Sequence, residues 1–369
     1  MIYLHIPYCH RKCTYCAFYS VVTSGDKQRY VDALCRELAM RRHEMEHAVH
    51  TVYFGGGTPT VISVGQIGQV VETLLAHYDL SEVEEVTIEA NPEDLTPVYL
   101  EGLKALGLFN RISVGVQSFH DRDLKELNRR HNAGQAIEAV QGAYDAGFSN
   151  ISIDLIYGLP KQSLADWQEN LAIAARLPVM HLSAYSLTVE DGTMLAKQIE
   201  QGRVSLPSEE ETAAMYETLT GWAVQNGFEQ YEISNFCRPG MQSRHNSRYW
   251  DRTPYLGVGA AAHSFDGLHR RWNVSDANQY IASVEAGHVA HEEEELGLKE
   301  AFNEYVMTSL RTVKGIEKDK VFTPFKARLD KGVQRFIDNG LLVETPTHYL
   351  PTPQGLLHAD GMAAELFIS

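Results

Sequence analysis

Residues 2–16, I-Y-L-H-I-P-Y-C-H-R-K-C-T-Y-C, place a short β-rich run directly before three cysteines, Cys9, Cys13 and Cys16. The run reads as a strand ending near Pro7, so the cysteines fall on the loop at its C-terminal edge. Five further runs of the same texture follow, at residues 51–54, 86–90, 111–116, 151–157 and 181–187. Several are nearly continuous in apolar residues, as strands covered on both faces are. Helical patterns fill the gaps. Tyr30, Leu34, Leu38 and Arg41 begin one amphipathic face, Thr96 caps a helix that opens on Pro97, and Ser163 with Asp166 forms a capping box. Six βα units in succession predict an α/β fold around a parallel sheet.

The chain has 369 residues, with 48 acidic against 32 basic side chains and a formal charge of −16. That balance excludes the broad phosphate-binding surface of a nucleic-acid protein. No run of about 18 apolar residues is present to span a bilayer, and the N-terminus lacks the basic and apolar segments of a signal peptide. A cytoplasmic location is the expectation. Three of only five cysteines share residues 9–16, which is a ligand distribution and not a disulfide framework. Cys35, in the first helix pattern, and Cys237, in a loop, read as structural thiols.

Beyond about residue 205 the parallel pattern fades. Ser208 and the glutamates after it open a helix that runs to about Gly227. Residues 235–275 are rich in Gly, Asn, Arg and aromatics without clear periodicity and read as connecting or site-building loops. The acidic run 292–295 precedes two helical stretches, 299–310 and 323–339, and residues 340–355 alternate like a small hairpin. The expected organisation is a main domain over 1–205, a connecting region over 206–295 and a smaller helical and winged α+β module over 296–369.

Three soft thiolates on one strand-end loop suit an iron–sulfur cluster or zinc. Three ligands are one short of four, which leaves a position open to a small molecule. The same shortfall argues against a simple electron-transfer protein. C-x3-C-x2-C after a first strand resembles the signature of the radical S-adenosylmethionine (SAM) superfamily. The ordered motifs Y-L-H-I-P-Y-C, F-G-G-G-T-P-T, I-E-A-N-P, G-V-Q-S-F and I-D-L-I-Y-G-L-P resemble, more narrowly, the group of oxygen-independent coproporphyrinogen III oxidases and HemW-type heme chaperones. The resemblance implies a partial (β/α)6, TIM-like barrel. It also implies a 4Fe-4S cluster on Cys9, Cys13 and Cys16, with SAM chelated at the remaining iron. If SAM is cleaved, an electron donor such as flavodoxin or ferredoxin is required.

The resemblance assigns Gly56, Gly57 and Thr58 to the methionyl part of SAM, and Glu89, Gln117, Arg129 and Asp154 to polar contacts with it. Tyr3 matches a tyrosine near SAM, and Tyr15 matches the aromatic beside the adenine. From the residues alone, the glycines also fit a tight βα turn, Glu89 and Asp154 a structural ion pair, Tyr3 strand packing and Arg129 a surface position. His5 and His10 flank the cysteine loop. No catalytic residue is assigned.

Two features separate the branches of the group. The oxidases carry a further cysteine where this chain has Phe18, and they carry an N-terminal extension that here would have to precede Tyr3. H-N-S-R-Y-W, residues 245–250, resembles the H-N-x-x-Y-W motif of the chaperones. The expectation is a heme chaperone that binds heme and delivers it to an apo-hemoprotein acceptor, with coproporphyrinogen oxidation as the alternative. His245 is the first candidate for an axial heme ligand and His263 the reserve, with Tyr249 and Trp250 as walls. The chemistry of His245 equally allows a structural hydrogen bond.

Overall fold

The computed structural model describes residues 1–22, 27–45 and 47–368. Six parallel strands form in the expected places: β1 (Ile2–Ile6), β2 (Thr51–Gly56), β3 (Glu85–Ala90), β4 (Arg111–Gln117), β5 (Asn150–Tyr157) and β6 (His181–Ser186). They lie side by side in chain order, each joined to the next by a crossover that carries helix. Thr96, Ser163 and Ser208 cap helices as their sequence patterns require, and Gly227, at φ +72°, follows the end of helix Glu209–Gln225.

The strands are less uniformly apolar than a doubly covered sheet requires. Val52, Phe54, Val86, Ile88, Ile112, Val114, Ile151, Ile153 and Leu182 pack in one core with residues of the surrounding helices, such as Leu34, Val70, Leu100, Val140 and Leu171. The residues between them are mostly polar: Thr51, Tyr53, Thr87, Glu89, Arg111, Ser113, Ser152, Asp154, His181 and Ser183. Side chains alternate across a strand, so this second set lines the concave face. The barrel therefore has an apolar jacket and a polar interior.

Residues 235–275 are not mainly loops, as the sequence reading had them. Leu256–Val258 pairs in parallel with β1, and Asn235–Cys237 pairs antiparallel with β6, so the segment extends the sheet at both edges. These strands are three residues long, too short for a period to show. Cys237 is consequently a buried strand residue. The acidic run forms the exposed edge strand His291–Glu295 of a three-stranded antiparallel sheet with His263–Phe265 and His269–Asn273.

A second core joins Phe302, Val306 and Leu310 of helix Leu298–Leu310 to Leu329, Val333 and Phe336 of helix Thr323–Asp338, with the expected hairpin Leu342–Glu344 and His348–Pro351 against it. Among the described residues no helix is long and apolar enough to cross a membrane.

Candidate functional site

The cysteine loop leaves the C-terminal end of β1 and is closed at its base by a parallel pairing of Tyr8–Cys9 with Val21–Val22. Its middle is fixed to the segment after β4. Thr14 N–H donates to the Leu127 carbonyl at 3.2 Å, and Asn128 Nδ2 donates to the Lys12 carbonyl at 2.8 Å. Cys9, Cys13 and Cys16 are all free thiols of intermediate exposure. Burial pushes the Cys9 and Cys16 thiols up, so ligation there must release protons. Arg129 Nη1 donates to Cys13 Sγ at 3.3 Å, and Thr58 Oγ1 stands 3.5 Å from Cys9 Sγ.

Among the described residues no three His, Cys, Asp or Glu side chains gather as ligands of a single metal ion. A cluster that takes each thiolate on a different iron needs no such convergence, so the loop fits a 4Fe-4S centre better than zinc.

Beside the thiols, three glycines end β2. A Cβ on Gly56 would lie 2.8 Å from the His5 ring, and one on Gly57 would lie 2.8 Å from the Tyr8 carbonyl. Gly56 also holds φ +114°, so close approach and backbone shape both demand glycine there. Gly56→Ala should lower the melting temperature by more than Gly107→Ala. Gly107 shares a positive φ of +72° but has nothing within 4 Å of the added carbon. Equal losses in the two variants, read by thermal unfolding, would remove the steric argument.

Glu89 accepts from Tyr53 Oη at 2.7 Å and from Gly56 N–H at 3.2 Å. Desolvation, against these two bonds, moves its carboxyl up to about 7. Asp154 lies within β5 and not at its end, accepts from Ser113 Oγ at 3.4 Å, and is pushed up by desolvation to about 6. Neither carboxylate forms an ion pair with a cation among the described residues, so the structural-pair alternative does not describe them.

Arg129 is half-buried, not a surface residue. Its Nη2 donates to Asn91 Oδ1 at 2.5 Å and to the Gly115 carbonyl at 2.7 Å, while its Nε has no partner. Gln117 holds φ +68°, a conformation unfavourable for a non-glycine residue, where the register with β5 shifts. Tyr3 stacks on Tyr53 with ring centres 6.1 Å apart and lies 3.1 Å from His5 Nδ1. Tyr15 packs against Leu127, Ile156 and Leu159. His5 is buried with both ring nitrogens engaged and is held neutral, its pKa lowered to about 4 by desolvation. His10 is exposed, 3.9 Å from Asp94.

This donor set fits an aminocarboxylate beside a cluster. The glycine cradle admits backbone contact, the orphaned Arg129 Nε suits an anionic group, and Glu89 and Asp154 suit an ammonium or hydroxyl groups. A cluster and SAM held there would supply electron transfer and radical generation, and these residues would bind, orient and shield them. The sequence reading missed Tyr53 and Asn91. Asn91 Nδ2 also donates to Thr58 Oγ1 at 3.1 Å and so ties the glycine loop to Arg129. The polar alternation in β2 and β3 was the available signal for Tyr53, and I-E-A-N-P for Asn91.

His245 requires correction as a heme ligand. It is fully buried, at the end of the barrel opposite the cysteines, beside the first residues of β2 and β3. Nδ1 is 2.9 Å from Thr51 Oγ1, Nε2 is 3.1 Å from Tyr249 Oη, and its backbone N–H donates to Glu85 Oε1 at 2.9 Å. Burial lowers its pKa to about 3, and no ring nitrogen is left for iron. Tyr249 faces this interior, whereas Trp250 lies under the Arg311 guanidinium, so the two rings do not form one wall.

Comparison with known proteins agrees with this geometry. Residues 3–173 match the model of the radical SAM superfamily, and residues 296–358 match that of the HemN C-terminal domain. A heme chaperone HemW of Mycobacterium tuberculosis is 34% identical over 99% of this chain and 94% of its own length. One from Lactococcus lactis is 36% identical over 89% of this chain and 86% of its own. The structure of the Escherichia coli coproporphyrinogen III oxidase, a radical SAM enzyme, superposes with a TM-score of 0.85 at 25% identity, covering 99% of this chain and 89% of that one. The chain belongs to the radical SAM superfamily and, within it, to the HemW family.

Proposed function

We propose that this chain is a cytoplasmic heme chaperone that carries a 4Fe-4S cluster and SAM and hands heme to an apo-hemoprotein. The observation that carries the reading is likeness, along nearly the whole chain, to relatives named heme chaperones. Phe18 supports it: where the oxidases carry a further cysteine, this chain presents an apolar ring that is 73% exposed. The similarity to the E. coli oxidase keeps oxidative decarboxylation of coproporphyrinogen as the second reading. If SAM is cleaved, a flavodoxin- or ferredoxin-like protein supplies the electron.

With His245 occupied, His263 becomes the preferred axial donor. Its imidazole is exposed, no hydrogen bond or ion pair engages it among the described residues, and it stacks on Trp272 with centres 5.9 Å apart. Heme titration followed by the Soret band tests this. His263→Ala should weaken binding by roughly tenfold or more, the scale of one lost ligand interaction. His245→Ala should instead lower stability by about 1–3 kcal/mol, because it strips partners from Thr51 and Tyr249, and should leave the Soret spectrum intact. An unchanged Soret titration in His263→Ala would reject that ligand, and no heme binding by the wild type would reject the reading itself.

A further inference from the structure

Arg111 opens β4 and is 1% exposed inside the barrel. Its register partner on β3 is Thr87, while Ser113, the next interior residue of β4, pairs with Glu89. By register Arg111 therefore enters the interior one step below Glu89 and two steps below Asp154. Its Nε and Nη1 have no hydrogen-bond partner, and no ion pair engages it among the described residues. A fully buried cation without a direct partner is costly to fold around, and such cost marks a functional constraint.

The groups that face the carboxylates leave few sources of positive charge. Around Glu89 stand Tyr53, the Gly56 N–H, Asp154 and Arg111, with the phenols of Tyr3, Tyr185 and Tyr249 nearby. Around Asp154 stand Ser113, Ser183, Arg111 and Arg129, with Tyr15 and Tyr185 beyond. The phenols carry their protons near pH 7 in any case, and burial keeps His181 and His245 on the floor neutral with Arg111's help. Arg129 is already engaged by Cys13, Asn91 and the Gly115 carbonyl.

We propose that Arg111 is a positioning residue whose guanidinium limits the protonation of Glu89 and Asp154 in the SAM site above it. The proposal rests on the assignment of those two carboxylates to SAM. Without Arg111 the two acids would face each other in a desolvated chamber, and the first to take a proton would be lost as a partner for a ligand ammonium.

The test uses the full chain twice. In the cluster-free, SAM-free protein, infrared titration of the Glu89 carboxyl, identified by its loss in Glu89→Gln, should show a midpoint at least one pH unit higher in Arg111→Met. Arg111→Lys should stay near wild type. If Arg111→Met fails to fold, Arg111→Gln serves, with the same upward shift expected. An unmoved carboxyl midpoint in the neutral variant overturns the proposal. In cluster-loaded protein, SAM affinity of the neutral variant should fall about tenfold near pH 7 and recover toward pH 9. An equal loss at every pH means that Arg111 is only structural and also overturns it. SAM affinity that ignores Glu89→Gln rejects the assignment of that carboxylate, which is a separate result from the midpoint.

Discussion

Alanine at Cys9, Cys13 or Cys16 should abolish the broad visible absorption of the reconstituted protein, while alanine at Cys35 or Cys237 should leave it. The first three thiols share one loop pinned to the segment after β4, and a cluster corner without its thiolate has no replacement donor there. Cys35, on helix Lys27–Met40, instead points its Sγ at the Gln69 carbonyl, 3.7 Å away, and Cys237 is buried in the last strand but one of the sheet. Iron and sulfide analysis after anaerobic reconstitution reads the effect. A full cluster in any of the three loop variants contradicts the assignment.

Glu89→Gln has two effects of opposite sign. Loss of a desolvated, charge-assisted contact should weaken SAM binding by about 1.5–3 kcal/mol, roughly tenfold to a hundredfold. The ligand-free protein, in contrast, should become more stable at pH 8. The folded carboxyl titrates near 7, above the usual 4.5, so between those values the folded state holds a proton that the unfolded chain has released. Stability therefore falls as pH rises through that window and levels off above about 7. Asp154 adds a similar fall from 3.8 to about 6. Thermal unfolding from pH 4.5 to 8 should show the decline in wild type and a shallower one in Glu89→Gln. Identical pH profiles would show that Glu89 is not the group that titrates.

The six strands and the helix caps were legible because each rests on local chemistry: a β-rich run, a serine or threonine before a helix, a proline at its first turn. The three cluster ligands were legible because clustering in a cysteine-poor chain is itself a signal. The polar lining of the barrel was only partly legible. T-I-E in β3, R-I-S in β4 and S-I-D in β5 alternate with period two, yet a reading that expects doubly buried parallel strands passes over the alternation. His245 shows a different limit. A histidine beside tyrosine and tryptophan has the residue types of a heme pocket, but its actual partners, Thr51 and Glu85, lie far away in sequence and belong to other strands. Only the fold brings them together. Arg111 was hidden for the same reason, since nothing in its neighbours along the chain tells that it is sealed in the barrel below Glu89 and Asp154.

This radical SAM scaffold is proposed to handle heme and not to oxidise a porphyrinogen. One anaerobic preparation, reconstituted with cluster and supplied with SAM and reductant, is divided between heme transfer to an apo-hemoprotein and turnover of coproporphyrinogen III. Transfer of heme, seen as the acceptor's own Soret spectrum, with no porphyrinogen decarboxylated, is the predicted result. Decarboxylation at an enzymatic rate, with the acceptor left empty, would contradict it.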